Sequence, residues 1–416
     1  MSDFTDAVEN VESESISCLR LGTKMLKHIQ NLLLIVCTIF TVSNDQLLNA
    51  EESSVDSIRV YVGTYTRGDS KGIYTFELDP KTGKTTEPQL AAELVNPSFV
   101  AIAPSGKYLY AVNEVADFPG VKGKQAGGVT GFKLDAKTGK LTKINSQLSG
   151  GPGPCHLSVD HEEKCVVVAN YGGGSVASLP LKQNGELAPA ASFIQHEGSS
   201  VNPRRQTAPH AHSANVDAGN NYAVVADLGL DKLLVYKLDA EQGTLTPNDP
   251  PFVKTVQGGG PRHLDFHPNG KYAYANNEIT LSVTAYDYDS NNGVLTPLQT
   301  VTTVTEGTPL QGNSTAETLV HPSGKFLYVS NRGPNSIAMF RIKDDGTLES
   351  LGLESTQGEI PRGFGIDPTG NFLLVCNQNT HTVVVLKIDQ ETGMLSSTGT
   401  KLEIPSPVNV RMLPIK

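Results

Sequence analysis

The stretch HPSGKFLYVSNRGPNSIAMFRIKDDGT, residues 321 to 347, decides the fold. It opens on a Pro-x-Gly turn and runs into an apolar segment that closes at Asn331. It then turns and continues through a second run to Asp345-Gly346. Short apolar or alternating runs bounded by Gly, Pro and Asn are strand and hairpin signals. The first half of the pattern recurs at residues 103–114, 160–171, 217–228, 267–278 and 367–378, with a degenerate copy at 59–65. Its closing Asn or Asp falls at Asn113, Asn170, Asp227, Asn277, Asn331 and Asn377, at intervals of 57, 57, 50, 54 and 46 residues. A second strand and turn follow each copy, as at residues 72–84 and 383–394. Each unit therefore holds about four strands, and four-stranded repeats of this length are propeller blades. The expected fold is all-β: a seven-bladed β-propeller of four-stranded antiparallel blades. A lone blade cannot bury both faces, so residues 51–416 should form one domain. The ring should close by pairing residues 58–64 with residues 408–412.

Composition agrees. The chain has 416 residues, 40 Gly and 25 Pro, no Trp, and only 18% charged residues. Turns consume the Gly and Pro, and strands buried on both faces leave few places for charge. A formal net charge of −10 argues against a general nucleic-acid binder. The first fifty residues stand apart. Lys24 and Lys27 precede an apolar run over residues 32–42, too short to span a bilayer. It suits a secretory signal that starts at Met25 and is cleaved after Leu48-Asn49-Ala50; the plain alternative is a tail with a chance apolar stretch. With the signal removed, the expected location is periplasmic or secreted, with no membrane attachment; without a working signal it is cytoplasmic. Cys155 and Cys165 flank one turn and could pair in an oxidising compartment, although small buried core residues are the better reading.

Two columns of the repeat carry chemistry. The strand ahead of each Pro-Gly turn begins at Ser98, Cys155, His212, Arg262, Ala316 and Arg362. The strand after it ends just before Glu114, Tyr171, Leu228, Glu278, Arg332 and Gln378. Members of each pair lie 16 residues apart, symmetric about the turn, so they should be cross-strand neighbours at the mouth of the central channel. Blade positions that the fold dictates are apolar or turn residues. These columns vary instead and collect charge. A neighbouring column adds His156, Ser213, His263 and Glu317, with His210 close by. Imidazoles, guanidinia and carboxylates converging on one face suit a polar, anionic small molecule. Arg262 with Glu278 also reads as a structural ion pair. His267 and His321 precede Pro in the repeated turns and read as turn residues; His161, His196 and His381 read as surface. The cup's arginines oppose a metal cation, so no metal is expected. Gly172-Gly173-Gly174 and Gly258-Gly259-Gly260 lack the context of a phosphate loop, and no Gly-x-Ser-x-Gly elbow occurs.

The segments GPCHLSVD (153–160), ANYGGGSV (169–176), PHAHS (209–213), GPRHLDFHPNGKYAY (260–274), Asn277-Glu278, SNRG (330–333), PRGF (361–364) and CNQNT (376–380) resemble the bacterial 6-phosphogluconolactonases of the seven-bladed propeller type. Fungal carboxy-cis,cis-muconate cyclases share that family. The resemblance spans residues 58–413. It implies a carboxylic ester hydrolase that opens 6-phospho-D-glucono-1,5-lactone to 6-phosphogluconate, a step of the pentose phosphate pathway. It also implies no cofactor or metal and a small anionic sugar lactone as partner; the chain is expected to be a monomer. His212, Arg262 and Glu278 match the family's catalytic positions. Arg332, Arg362, His156, His210, His263, Glu114 and Glu317 are the expected substrate-binding set. Either Glu278 or His212 could serve as base; pairing to Arg262 should make Glu278 a weak one, which favours His212. Lactonisation of the muconate type, or a propeller that only binds sugar acids or a protein, stay as alternatives.

Overall fold

In a computed structural model, residues 55–118 and 125–415 are described. The proposed signal and its cleavage site lie outside them. The described residues form twenty-eight strands, numbered in chain order, in seven antiparallel sheets of four. Every strand count and blade boundary follows the repeat.

The ring closes between the two ends of the chain. β28 (Pro407–Ile415) is the innermost strand of the first blade and pairs along its length with β1 (Ser57–Thr64). The other innermost strands are β4 (Val100–Ile102), β8 (Pro154–Val159), β12 (Ala211–Val216), β16 (Pro261–Phe266), β20 (Ser314–Val320) and β24 (Pro361–Ile366), and neighbours in this series touch around the axis.

The second strand of a blade is apolar without alternation because blades stack face to face. In β9 (Cys165–Asn170) every residue is buried. Val166 and Val168 pack toward Tyr110 and Val112 of the preceding blade. Cys165, Val167 and Ala169 pack toward Ala223 and Val225 of the next. Each buried valine of this kind contributes about 1.5–3 kcal/mol, so the run supplies much of the inter-blade adhesion. The Asn that closes the run ties down the loop arriving from the preceding blade's outermost strand: Asn331 Nδ2 donates to Thr303 O at 2.7 Å and Asn377 Nδ2 to Thr356 O at 2.8 Å.

Two readings change, and one open alternative is decided. His196 is buried, not superficial: Asp227 occupies the Asn column, lacks a donor of its own, and takes His196 Nδ1 at 2.6 Å while Tyr236 OH meets Nε2 at 3.0 Å. Cys155 and Cys165 are buried free thiols. The cross-strand register is shifted by bulges. The pairs 16 residues apart fall one position earlier than expected, at Pro154↔Asn170, Ala211↔Asp227, Pro261↔Asn277 and Pro361↔Asn377, while the blade of β20 pairs Ser314 with Arg332. The register then slips just past these pairs, at Cys155, His212, Arg262–His263, Ala316–Glu317 and Arg362. A bulge leaves its extra residue out of the ladder and re-aims the side chain. Here the bulged residues are those the sequence placed at the channel.

Candidate active site

Arg262 and His263 stand on β16, His212 on β12, His156 on β8, Glu317 on β20 and Arg362 on β24. Glu278 follows β17 (Tyr272–Asn277), Arg332 ends β21 (Phe326–Arg332), and Glu114 follows β5 (Tyr108–Asn113). All ten expected residues converge on the axis, in three linked groups.

The first group surrounds Glu278. Its Oε2 lies 3.0 Å from Arg262 Nε and 3.0 Å from Arg332 Nη2. Its Oε1 lies 2.7 Å from Arg205 Nη2. Arg262 and Glu278 are 2% and 4% exposed, so the cup is deeper and drier than an open mouth. Arg262 also donates from Nη1 to Ala316 O at 2.6 Å, and Arg332 from Nη2 to Thr315 O at 2.8 Å. Burial alone would raise the Glu278 pKa; Arg332, Arg262 and Arg205 outweigh it and hold the carboxyl well below the usual range. Burial, with Arg332 and Arg362 nearby, brings Arg262 down to about 10, still charged at neutral pH.

The second group is aromatic and imidazole. His263 Nδ1 sits 2.6 Å from Glu317 Oε1, and its buried Nε2 has no partner. The His263 ring packs edge-on against His156 at 5.2 Å and His212 at 5.3 Å. His156 Nδ1 accepts from Ala214 N at 3.2 Å. His212 Nδ1 lies 3.7 Å from Cys155 Sγ. Burial pushes all three imidazoles well below their usual pKa, helped at His212 by Arg262 and at His263 by Arg262 and Arg411. Burial raises Glu317. His210 stacks on Tyr171 at 4.6 Å at the rim, with Nδ1 against Tyr171 O at 3.0 Å.

The third group is Arg362, Tyr65 and Glu114. Tyr65 OH donates to Glu114 at 2.9 Å, Ser98 Oγ also meets that carboxylate, and the Arg362 guanidinium lies 5.3 Å over the Tyr65 ring. Among the described residues the Arg362 guanidinium has no hydrogen-bond or ion-pair partner, so its donor fork is unspent. Burial would lower its pKa, but Tyr65, Glu114 and Glu278 raise it, so it remains charged. A cavity of about 10 Å³, enough for one water, is lined by Arg262, Arg362, Glu114, His263 and Glu317 among others. The larger clefts, beside Tyr108 and beside His381, contain none of these residues.

Sequence reading missed Arg205, Tyr65 and Arg411, whose guanidinium lies 4.7 Å from the Phe99 ring centre beneath His156. Arg205 sits in a connecting loop with no counterpart in the repeat. Among the described residues no three His, Cys, Asp or Glu side chains are placed to hold a metal ion. His267 and His321 do serve the turns: their Nε2 atoms bond Gly324 O and Gly370 O of the next blades at 2.8 and 2.9 Å.

A propeller whose axial strands bulge two arginines, Arg262 and Arg362, into a buried cup that Arg332, Arg205 and Glu278 complete carries the groups that suit a small anion, with acid–base side chains at hand. The chain belongs to the seven-bladed β-propeller lactonase family, whose model matches residues 59–412. It is 39% identical to a Bacillus subtilis protein named 6-phosphogluconolactonase, over 85% of this chain and 97% of that one. A Formosa agariphila protein of the same name is 36% identical over 85% of this chain and 99% of its own length. The solved periplasmic gluconolactonase of Pseudomonas aeruginosa superposes with a TM-score of 0.80 at 34% identity, covering 86% of this chain and all of that one.

Proposed function

We propose that this protein is a carboxylic ester hydrolase that opens a sugar-acid δ-lactone, with 6-phospho-D-glucono-1,5-lactone as the first candidate. Its named relatives support the reaction class. The observation that carries the reading is the unspent Arg362 fork beside the Arg262–Glu278–Arg332 cluster, which suits an anionic substrate. In this reading Arg262 stabilises the oxyanion that develops on the lactone carbonyl. Neutral His212 takes a proton from the attacking water; the ring C–O bond breaks, and the ring oxygen receives a proton to leave the free acid. Glu278, ionised and clamped, orients Arg262. Arg332 and Arg362 supply further donors to the bound substrate.

The test is hydrolysis of δ-gluconolactone with and without the 6-phosphate, corrected for the uncatalysed rate. Arg262→Lys and Arg262→Ala should lower kcat by about 10²–10³-fold, the usual effect of removing an oxyanion donor. Unchanged turnover in folded variants would refute the assignment. The periplasmic relative favours a second reading, in which residues 1–50 direct export and a bare lactone is the substrate. Mass spectrometry of the mature chain should then find an N-terminus just after Ala50; an intact residue-1 start would exclude export by this segment.

A further inference from the structure

We infer that Arg205 is the residue that selects a phosphorylated substrate, through a rim shelf it forms with Tyr171 and His210; this rests on the lactonase reading above. Two buried guanidinia, Arg262 and Arg332, already outmatch the single negative charge of Glu278, and both reach it through Oε2. Arg205 adds a third from outside, through Oε1, with its side chain 40% exposed. It is superfluous for neutralising Glu278 and leaves the rim with an excess of positive charge. A phosphate monoester carries about −1.5 to −2 charges at neutral pH, which suits that excess better than a neutral hydroxymethyl group does.

The loop is built to present this side chain. Asn202 Oδ1 accepts from Arg205 N at 3.2 Å. The next residue, Gln206, is fully buried and its Nε2 donates to Asp231 Oδ1 at 2.6 Å and Leu228 O at 2.9 Å. Asp231 in turn accepts from Gly258 N and Gly260 N, at 2.7 and 2.8 Å, and so ties the loop to the segment that leads into Arg262. Arg205 Nη2 also lies 3.2 Å from Tyr171 OH, which fixes the guanidinium against the shelf where His210 stacks. Only Nη2 is engaged; the remaining donors of the fork are free for a bidentate phosphate contact.

The experiment compares wild-type, Arg205→Ala, Arg205→Lys and a control, Arg204→Ala, which removes an exposed charge from the same loop. Binding of 6-phosphogluconate and of gluconate is measured by titration calorimetry, alongside kcat/KM on both lactones. Arg205→Ala should weaken 6-phosphogluconate at least tenfold and lower the phosphorylated-to-bare kcat/KM ratio by a similar factor. Arg205→Lys should recover part of the loss, and Arg204→Ala should match wild-type. Equal weakening of both ligands, or no weakening, overturns the inference, as does a wild-type protein that fails to bind 6-phosphogluconate at millimolar concentration. Arg205-dependent binding of 6-phosphogluconate without hydrolysis of either lactone would support Arg205's role while refuting the lactonase reading.

Discussion

Glu278 is buried with three guanidinia around one carboxylate, and Arg362 stands nearby with none of its donors engaged. A buried ionised group is tolerated only when its partners are complete, so Arg262 and Arg332 each spend part of the donor fork on Glu278 before substrate arrives, whereas Arg362 spends none. Charge-assisted hydrogen bonds are worth about 1.5–3 kcal/mol. Arg362→Gln should therefore raise KM for the anionic lactone roughly ten- to a hundredfold with a smaller effect on kcat, read from steady-state kinetics. A fall in kcat at constant KM would place Arg362 at the reacting carbonyl instead. The residues that sit in repeated columns were legible because a repeat exposes departures from its own rule: Arg262, Glu278, Arg332 and Arg362 are charges where other blades carry Cys, Ala or Leu. Arg205 had no column to depart from. Its loop carries Asn202-Pro203-Arg204-Arg205, an ordinary solvated turn in sequence, and only tertiary contacts with Asp231 turn it inward.

At the scale of the element, the Pro-x-Gly turn does two jobs. Gly324 adopts φ +74°, and its carbonyl accepts from His267 of the preceding blade. A Cβ there would stand 2.6 Å from His267 Cε1. Gly270 has nearly the same φ, +70°, with nothing within 4 Å of an added Cβ. Gly270→Ala should thus cost only the left-handed strain, about 1–2 kcal/mol. Gly324→Ala should cost more, because the clash also disturbs the inter-blade contact. Urea midpoints of the two variants give the comparison; equal losses would show that the His267 contact bears no inter-blade load. The same turns show why register was only partly legible. Symmetry about a turn predicts cross-strand partners, but it assumes an unbroken ladder. The bulges at Arg262 and Arg362 follow directly on Pro261 and Pro361, and Gly363 comes straight after Arg362, but Pro and Gly at those places read equally as the punctuation that opens a strand, and the bulge at His212 has neither beside it. The pairing of Arg262 with Glu278 survives since long side chains span the slipped position.

For the whole molecule, the ring gathers in one dry axis what the chain keeps far apart. His156, His212 and His263 come from three successive blades and meet edge to edge, each nine-tenths or more buried. Burial holds each pKa well below the usual value, so the folded protein keeps them neutral where the unfolded chain would bind protons. An unfolded histidine titrates near 6.5. Well above that pH both states are neutral and the three rings cost nothing. As pH falls below 6.5 the unfolded state gains up to three protons that the folded state refuses, so stability must drop. Each imidazole contributes up to about 1 kcal/mol between pH 6.5 and 5.5, or up to roughly 3 kcal/mol for the three, and the slope steepens toward about 1.4 kcal/mol per pH unit below that. Glu278 acts in the same direction at lower pH, because its stabilising ionisation is lost only below the usual carboxylate range. Urea midpoints at pH 7.5, 6.5 and 5.5 should therefore fall a little across the first interval and about three times as far across the second. A level response through pH 5.5 would mean that the three rings take up protons in the folded ring, and the dry cup on which neutral His212 depends would have to be abandoned.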